Sequence, residues 1–131
     1  MENKIFLDTD FLIDFLRNKE FAISFINQNE KKFHLCMSII SLFELYYGAF
    51  KDQSIKKISS VDNLAERINV YDLNHQIVKE AGKIYAELER NGKTVEFRDI
   101  LIGATALVSN GFLKTGNVKH FERIKGLKMI K

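Results

Sequence analysis

Lys4-Ile-Phe-Leu-Asp8-Thr-Asp10-Phe-Leu-Ile-Asp14 is the stretch that decides the fold. Residues 4–7 are an apolar run with aromatic and β-branched side chains, the polar Asp8, Thr9 and Asp10 interrupt it, and apolar residues then resume at helical spacing. That order predicts a strand, a polar turn and a helix. The same alternation continues along the chain. Residues 19–28 place Phe21, Phe25 and Ile26 on one helical face, and 33–37 read as a second strand. Ser41-Leu-Phe-Glu44 has the S-x-x-E spacing of a capping box, which predicts a helix start there and leaves Glu44 in its first turn. Apolar residues at three- and four-residue steps predict a helix over 53–68, and a short strand falls within 68–73. Asn74 is placed to cap a long helix that ends at Asn91-Gly92. Asp99 opens an apolar helix whose Gly103, Ala104 and Ala106 permit close packing. Two short strands, 112–114 and 127–130, flank the turn Thr115-Gly116-Asn117 and a helical turn.

Strands separated by helices imply parallel pairing through right-handed crossovers, hence a three-layer α/β/α sandwich around a small, mostly parallel sheet. Ligands of such sheets bind at the carboxyl ends of the strands. With 131 residues, 46% of them apolar, the chain is expected to be one domain over residues 1–131. A single cysteine, Cys36, in an apolar run excludes an internal disulfide and predicts a buried, inert thiol. The formal charge of +3 permits a polyanionic partner without demanding one. No signal-peptide pattern and no bilayer-length apolar run are present, so a soluble, cytoplasmic protein with no membrane partner is expected.

Asp8 follows the first strand, Glu44 sits early in the helix after the second, and Asp99 opens a later helix, so all three fall on the ligand-binding edge. Each alone is explained by capping and by the helix dipole. Together they form a cluster of carboxylates that repels itself unless a cation lies among them. Magnesium binds through a few carboxylates plus substrate phosphate oxygens and acidifies water, which suits phosphodiester hydrolysis by a metal-activated water.

The stretches KIFLDTDFLID, SLFELYYG, FRDILIGATALV and LKTGNVKHFERIKGLKMI, in this order, resemble the PIN domain, and within it the VapC toxins of toxin–antitoxin pairs. The resemblance spans nearly the whole chain. It implies an endoribonuclease dependent on Mg²⁺ or Mn²⁺, with Asp8, Glu44 and Asp99 as catalytic acids; Asp8 and Asp99 hold the metal, and Glu44 supports it or orients the attacking water. Thr9 and Thr115 fall on the family's small hydroxyl positions, and Asn117 and His120 complete the supporting or substrate-binding set. It also implies a homodimer and an inhibitory antitoxin whose C-terminal segment covers the cleft.

One departure stands out. Many members carry a fourth acid in the stretch where this chain has His120, which leaves one or two metal ions open and makes a non-catalytic RNA- or protein-binding module the rival reading. Glu96, three residues before Asp99, is either a substitute negative charge or a loop acid. Asp8-Thr-Asp10 also fits the opening of haloacid-dehalogenase-like phosphatases, with Asp8 as nucleophile and Asp10 as acid/base. Gly92-Lys93-Thr94 lacks the upstream glycine of a P-loop, the three histidines lack zinc spacing, and no serine has a nucleophile-elbow context. Lys114, Lys119, Arg123, Lys125 and Lys128 are either solvated surface or a grip for nucleic-acid phosphates. Phe11, Phe15, Phe21 and Phe25 read as core, or as an apolar groove for a partner helix.

Overall fold

Lys4–Leu7 forms strand β1, and its alternation sets the layers of the molecule, because Ile5 and Leu7 point to one side and Phe6 to the other. The computed structural model describes residues 3–130; Met1, Glu2 and Lys131, at the ends of the expected 1–131 unit, lie outside the described residues. After β1 come α1 (Thr9–Leu16), α2 (Glu20–Asn29), β2 (His34–Ser38), α3 (Ile39–Lys51), α4 (Ile55–Arg67) and β3 (Asn69–Tyr71). Then follow α5 (His75–Arg90), α6 (Phe97–Val108), β4 (Phe112–Lys114), α7 (Val118–Phe121) and β5 (Lys128–Ile130). The five strands form one sheet in the order β3-β2-β1-β4-β5, and every pairing is parallel. Ile5 pairs with Leu35 on one side and with Phe112 on the other, so β1 is the central strand.

Buried on both faces, β1 and β2 are apolar throughout their middles. Ile5, Leu7, Leu35 and Met37 meet Phe11, Leu12, Ile26, Leu45 and Leu64 from α1 to α4. Phe6, Cys36 and Leu113 meet Ile77, Ile84, Ile100 and Ile102 from α5 and α6. The expected three layers are present. The N-terminal phenylalanines divide: Phe11 is buried, with its ring edge-on to Phe21 and Phe25, while Phe21 remains exposed. Cys36 is buried, and desolvation pushes its thiol up to about 12, which keeps it protonated and inert.

Two boundaries differ from the sequence reading. The cap of α3 is Ser38, three residues before Ser41, whose hydroxyl accepts from the Ile40 N–H at 3.0 Å, so the helix begins at Ile39. Ser41 and Glu44 are therefore not its capping box. Asp99 does not precede its helix but lies in the first turn of α6, whose N-cap is Glu96. Asn110 takes the positive φ of 61° after α6, and Gly111 is needed for a different reason. A Cβ on Gly111 would stand 2.8 Å from Cε2 of Phe6, so only a glycine lets β4 enter beside the central strand. Gly103 likewise lets Ile124 close onto α6. Among the described residues no helix is long and apolar enough to cross a membrane.

Candidate active site

The strand order reverses direction at β1: β2 and β3 lie to one side, β4 and β5 to the other. Crevices in open parallel sheets form at such a switch point, beyond the carboxyl ends of the two diverging strands. The residues there are Asp8, after β1, and Thr115, after β4. The Asp8 N–H donates to the Lys114 carbonyl at 3.0 Å, which carries the β1–β4 pairing one step into the crevice and fixes the Asp8 backbone.

Asp8 is 4% exposed and both its oxygens are engaged. Oδ1 accepts from the Thr9 N–H at 2.8 Å, which makes Asp8 the N-cap of α1, and Oδ2 accepts from Thr115 Oγ1 at 2.7 Å. Burial pushes its pKa up to about 6; the two hydrogen bonds pull it down, and the charges of Asp99 and Asp10 push it up further. From Thr115 the polar contacts continue. Its Oγ1 accepts from the Asn117 N–H at 2.9 Å, the Asn117 amide nitrogen lies 3.3 Å from His120 Nδ1, and that nitrogen lies 3.0 Å from Asp99 Oδ2. Thr115 thus holds Asp8 from one side of the crevice, and His120, on the short helix that follows, stands beside Asp99 on the other. Burial raises Asp99, the His120 beside it lowers it, and Glu96 and Asp10 raise it again.

Glu44 enters from α3 and is held by Thr9, whose Oγ1 donates to Glu44 Oε1 at 2.6 Å and stands 3.0 Å from Ser41 Oγ. Freed from capping, Glu44 presents its other oxygen, Oε2, 3.9 Å from Nε of Arg98. The fold therefore brings Asp8, Thr9, Glu44, Asp99, Thr115, Asn117 and His120 to one edge of the sheet. His120, half-buried, stands beside Asp99. Glu96 caps α6 through the Arg98 N–H and also holds the Arg98 side chain. Two residues at this edge escaped the sequence reading of the nuclease site. Asp10, exposed in the first turn of α1, is near enough for its charge to raise both Asp8 and Asp99. Arg98 carried no signal beyond its place next to Asp99. Of the tail cations, Lys114 and Lys128 lie over the rings of Phe25 and Phe112, and Arg123 donates to the Thr94 carbonyl at 2.6 Å.

Among the described residues no three His, Cys, Asp or Glu side chains stand close enough together to hold an ion by themselves. The donors at the crevice are carboxylate oxygens, with an acid whose ionised form is disfavoured chiefly by burial and further by the charges of Asp99 and Asp10. That set fits a hard divalent cation that keeps much of its water and takes one or two carboxylates, as magnesium does, better than a dehydrated structural ion. A cation there relieves the repulsion between Asp8 and Asp99.

Against known proteins, the PIN domain family model matches residues 5–127. The chain is 33% identical over 127 residues to the tRNA(fMet)-specific endonuclease VapC of Shigella flexneri, covering 95% of each chain. It is 36% identical over 123 residues to the ribonuclease VapC1 of Haemophilus influenzae strain R2866, covering 92% of each. Among solved structures, VapBC2 from Rickettsia felis bound to a promoter DNA fragment superposes with a TM-score of 0.90 at 26% identity, over 97% of both chains. DNA-bound VapBC from Salmonella typhimurium gives 0.87 at 32% identity, over 98% of this chain and 97% of that one.

Proposed function

The chain belongs to the PIN domain family, and from that premise we propose that it is a divalent-metal-dependent endoribonuclease, the cytoplasmic toxin of a toxin–antitoxin pair. The observation that carries the reading is the gathering, at the switch point, of the buried Asp8, held by Thr115, and Asp99, held by His120, near enough for the charge of Asp99 to raise Asp8. A phosphatase of the Asp8/Asp10 type is set aside, because the PIN match spans residues 5–127 and the relatives named as ribonucleases cover nearly the whole chain.

Asp8 and Asp99 would hold Mg²⁺ or Mn²⁺. When bound, such an ion supplies positive charge at the scissile phosphodiester and lowers the pKa of water. The protein's part is placement. Thr115 and the Thr9 N–H fix the Asp8 carboxylate, His120 fixes Asp99, and Thr9 aims Glu44 at the same edge, where its carboxylate can accept a proton from the attacking water. Metal binding requires ionised Asp8, so it competes with the proton that burial favours.

Similarity to the VapBC complexes supports a protein antitoxin as partner. A groove of about 490 Å³ between α1, α3 and α4, lined by Ile13, Leu16, Leu45 and Val61 and reaching Glu44, offers an apolar bed for the antitoxin's C-terminal segment. An arginine of that segment would pair with the site's carboxylates bidentately. A homodimer is part of the same proposal. The test is incubation of pure protein with RNA in Mg²⁺ or Mn²⁺ against EDTA, with Asp8→Asn and Asp99→Asn alongside. Cleavage confined to the wild type with metal is expected. Cleavage that survives EDTA or both substitutions refutes the mechanism, and RNA binding without any cleavage favours the non-catalytic module.

A further inference from the structure

Arg98 follows the N-cap Glu96 by two residues and precedes Asp99, so the first turn of α6 puts a guanidinium at the rim of the acidic cleft. Its Nε is fixed on one side by Glu96, at 3.2 Å from Oε1 and 3.3 Å from Oε2, and faces Glu44 Oε2 at 3.9 Å. The guanidinium carbon lies 5.8 Å from the centre of the exposed Phe97 ring, within cation–π range. Among the described residues neither Nη1 nor Nη2 donates a hydrogen bond, and the side chain is 43% exposed. This is an arginine anchored by its inner nitrogen with its terminal fork open to solvent. Other basic groups are engaged elsewhere: Arg67 with Glu30, Lys57 with Asp52, and Arg123 with the Thr94 carbonyl.

From this geometry we infer that Arg98 is the substrate-binding residue that holds an RNA backbone phosphate next to the scissile bond, with Glu96 as its positioning residue. The inference rests on the nuclease reading above. A planar fork matches two phosphate oxygens, and anchoring at Nε orders the side chain before substrate arrives, which lowers the entropy lost on binding. It also answers an electrostatic difficulty. A cleft of carboxylates repels a polyanion, and one fixed cation at its edge gives the strand a place to attach beside the acids.

The test uses full-length protein: wild type, Arg98→Ala, Arg98→Lys and the double variant Arg98→Ala/Glu96→Gln. Fluorescence anisotropy of a labelled single-stranded RNA oligonucleotide, with Ca²⁺ replacing Mg²⁺, is followed over a salt series, and cleavage kinetics are measured in Mn²⁺. Arg98→Ala is expected to bind about tenfold more weakly, with a salt slope shallower by about 0.7, the share of one phosphate contact on a single strand. KM should rise while kcat stays within a few-fold. Arg98→Lys should keep the salt slope and lose part of the affinity. The double variant removes one positive and one negative charge, so mere neutralisation of Glu96 would be restored there, whereas a lost phosphate contact would not. Wild-type affinity and slope in Arg98→Ala, or recovery in the double variant, overturns the inference and leaves the nuclease standing. A wild-type protein that neither binds nor cuts RNA removes both.

Discussion

Replacing Asp8 with Asn should abolish RNA cleavage and, above neutral pH, make the protein harder to unfold. Burial pushes the Asp8 pKa from 3.8 up to about 6, with Asp99 and Asp10 adding to the rise. An acid whose folded pKa exceeds its unfolded one keeps its proton longer in the native state. The stability this contributes is complete below pH 3.8 and is lost as pH rises through about 6. Above that window the ionised carboxylate costs the fold up to about 3 kcal/mol. Asparagine carries no charge and escapes this cost. Against it stands the 2.7 Å hydrogen bond from Thr115 to Oδ2, whose loss costs ~1 kcal/mol at any pH. Asp8→Asn should therefore be less stable than wild type by ~1 kcal/mol near pH 4 and more stable by ~2 kcal/mol near pH 8. The second figure corresponds to a melting temperature higher by roughly 5–10 °C. Thermal unfolding followed by circular dichroism in EDTA, across that pH range, measures the crossover. A difference of the same sign and size at both ends refutes the assignment of the strain to Asp8. Added Mn²⁺ should then raise the wild-type melting temperature at the higher pH and leave the variant unmoved.

Thr9→Val removes the hydroxyl that aims Glu44; kcat should fall at least about tenfold with a stability loss of only ~1 kcal/mol, and unchanged kcat in single-turnover cleavage contradicts that role. Gly111→Ala drives a methyl group into the Phe6 ring, so urea unfolding should show a loss of about 1–3 kcal/mol; a neutral result means that the β4 entry is not tightly packed. His120→Gln removes the imidazole that lowers the Asp99 pKa. Burial and the acidic neighbours then hold the Asp99 proton to higher pH, so Mn²⁺ affinity measured by calorimetry should drop more at pH 6 than at pH 8. An equal drop at both pH values shows that His120 acts by some other means.

The layers and the strand positions were legible because each is written in local periodicity: the apolar runs of β1 and β2 and the three- and four-residue spacing of α4 and α5 admit few other readings. Asn74 was legible as a cap for the same reason, and its side chain accepts from the Ile77 N–H. The S-x-x-E of Ser41 and Glu44 misled because a capping rule sees only four residues. What decides the helix start is where β2 ends, and Ser38, the last residue of that strand, is itself a good cap. The consequence is functional: Ser41 moves inside the helix, fully buried against Thr9, and Glu44 is released toward the cleft. The contact of His120 with Asp99 and of Arg98 with Glu44 join separate elements, so no local pattern announces them. Asp99 was visible as an acid at the start of its helix, but the choice between helix capping and chemistry depends on Asp8, which is distant in sequence and near enough for their charges to interact.

The bond from Thr115 to Asp8 spans 107 positions of sequence. During synthesis the amino-terminal part is made first, yet Asp8 lacks the hydroxyl that steadies it until β4 and the turn after it have left the ribosome and docked beside β1. Until β4 is in place, Asp8 therefore lacks both the backbone partner and the hydroxyl that fix it in the crevice.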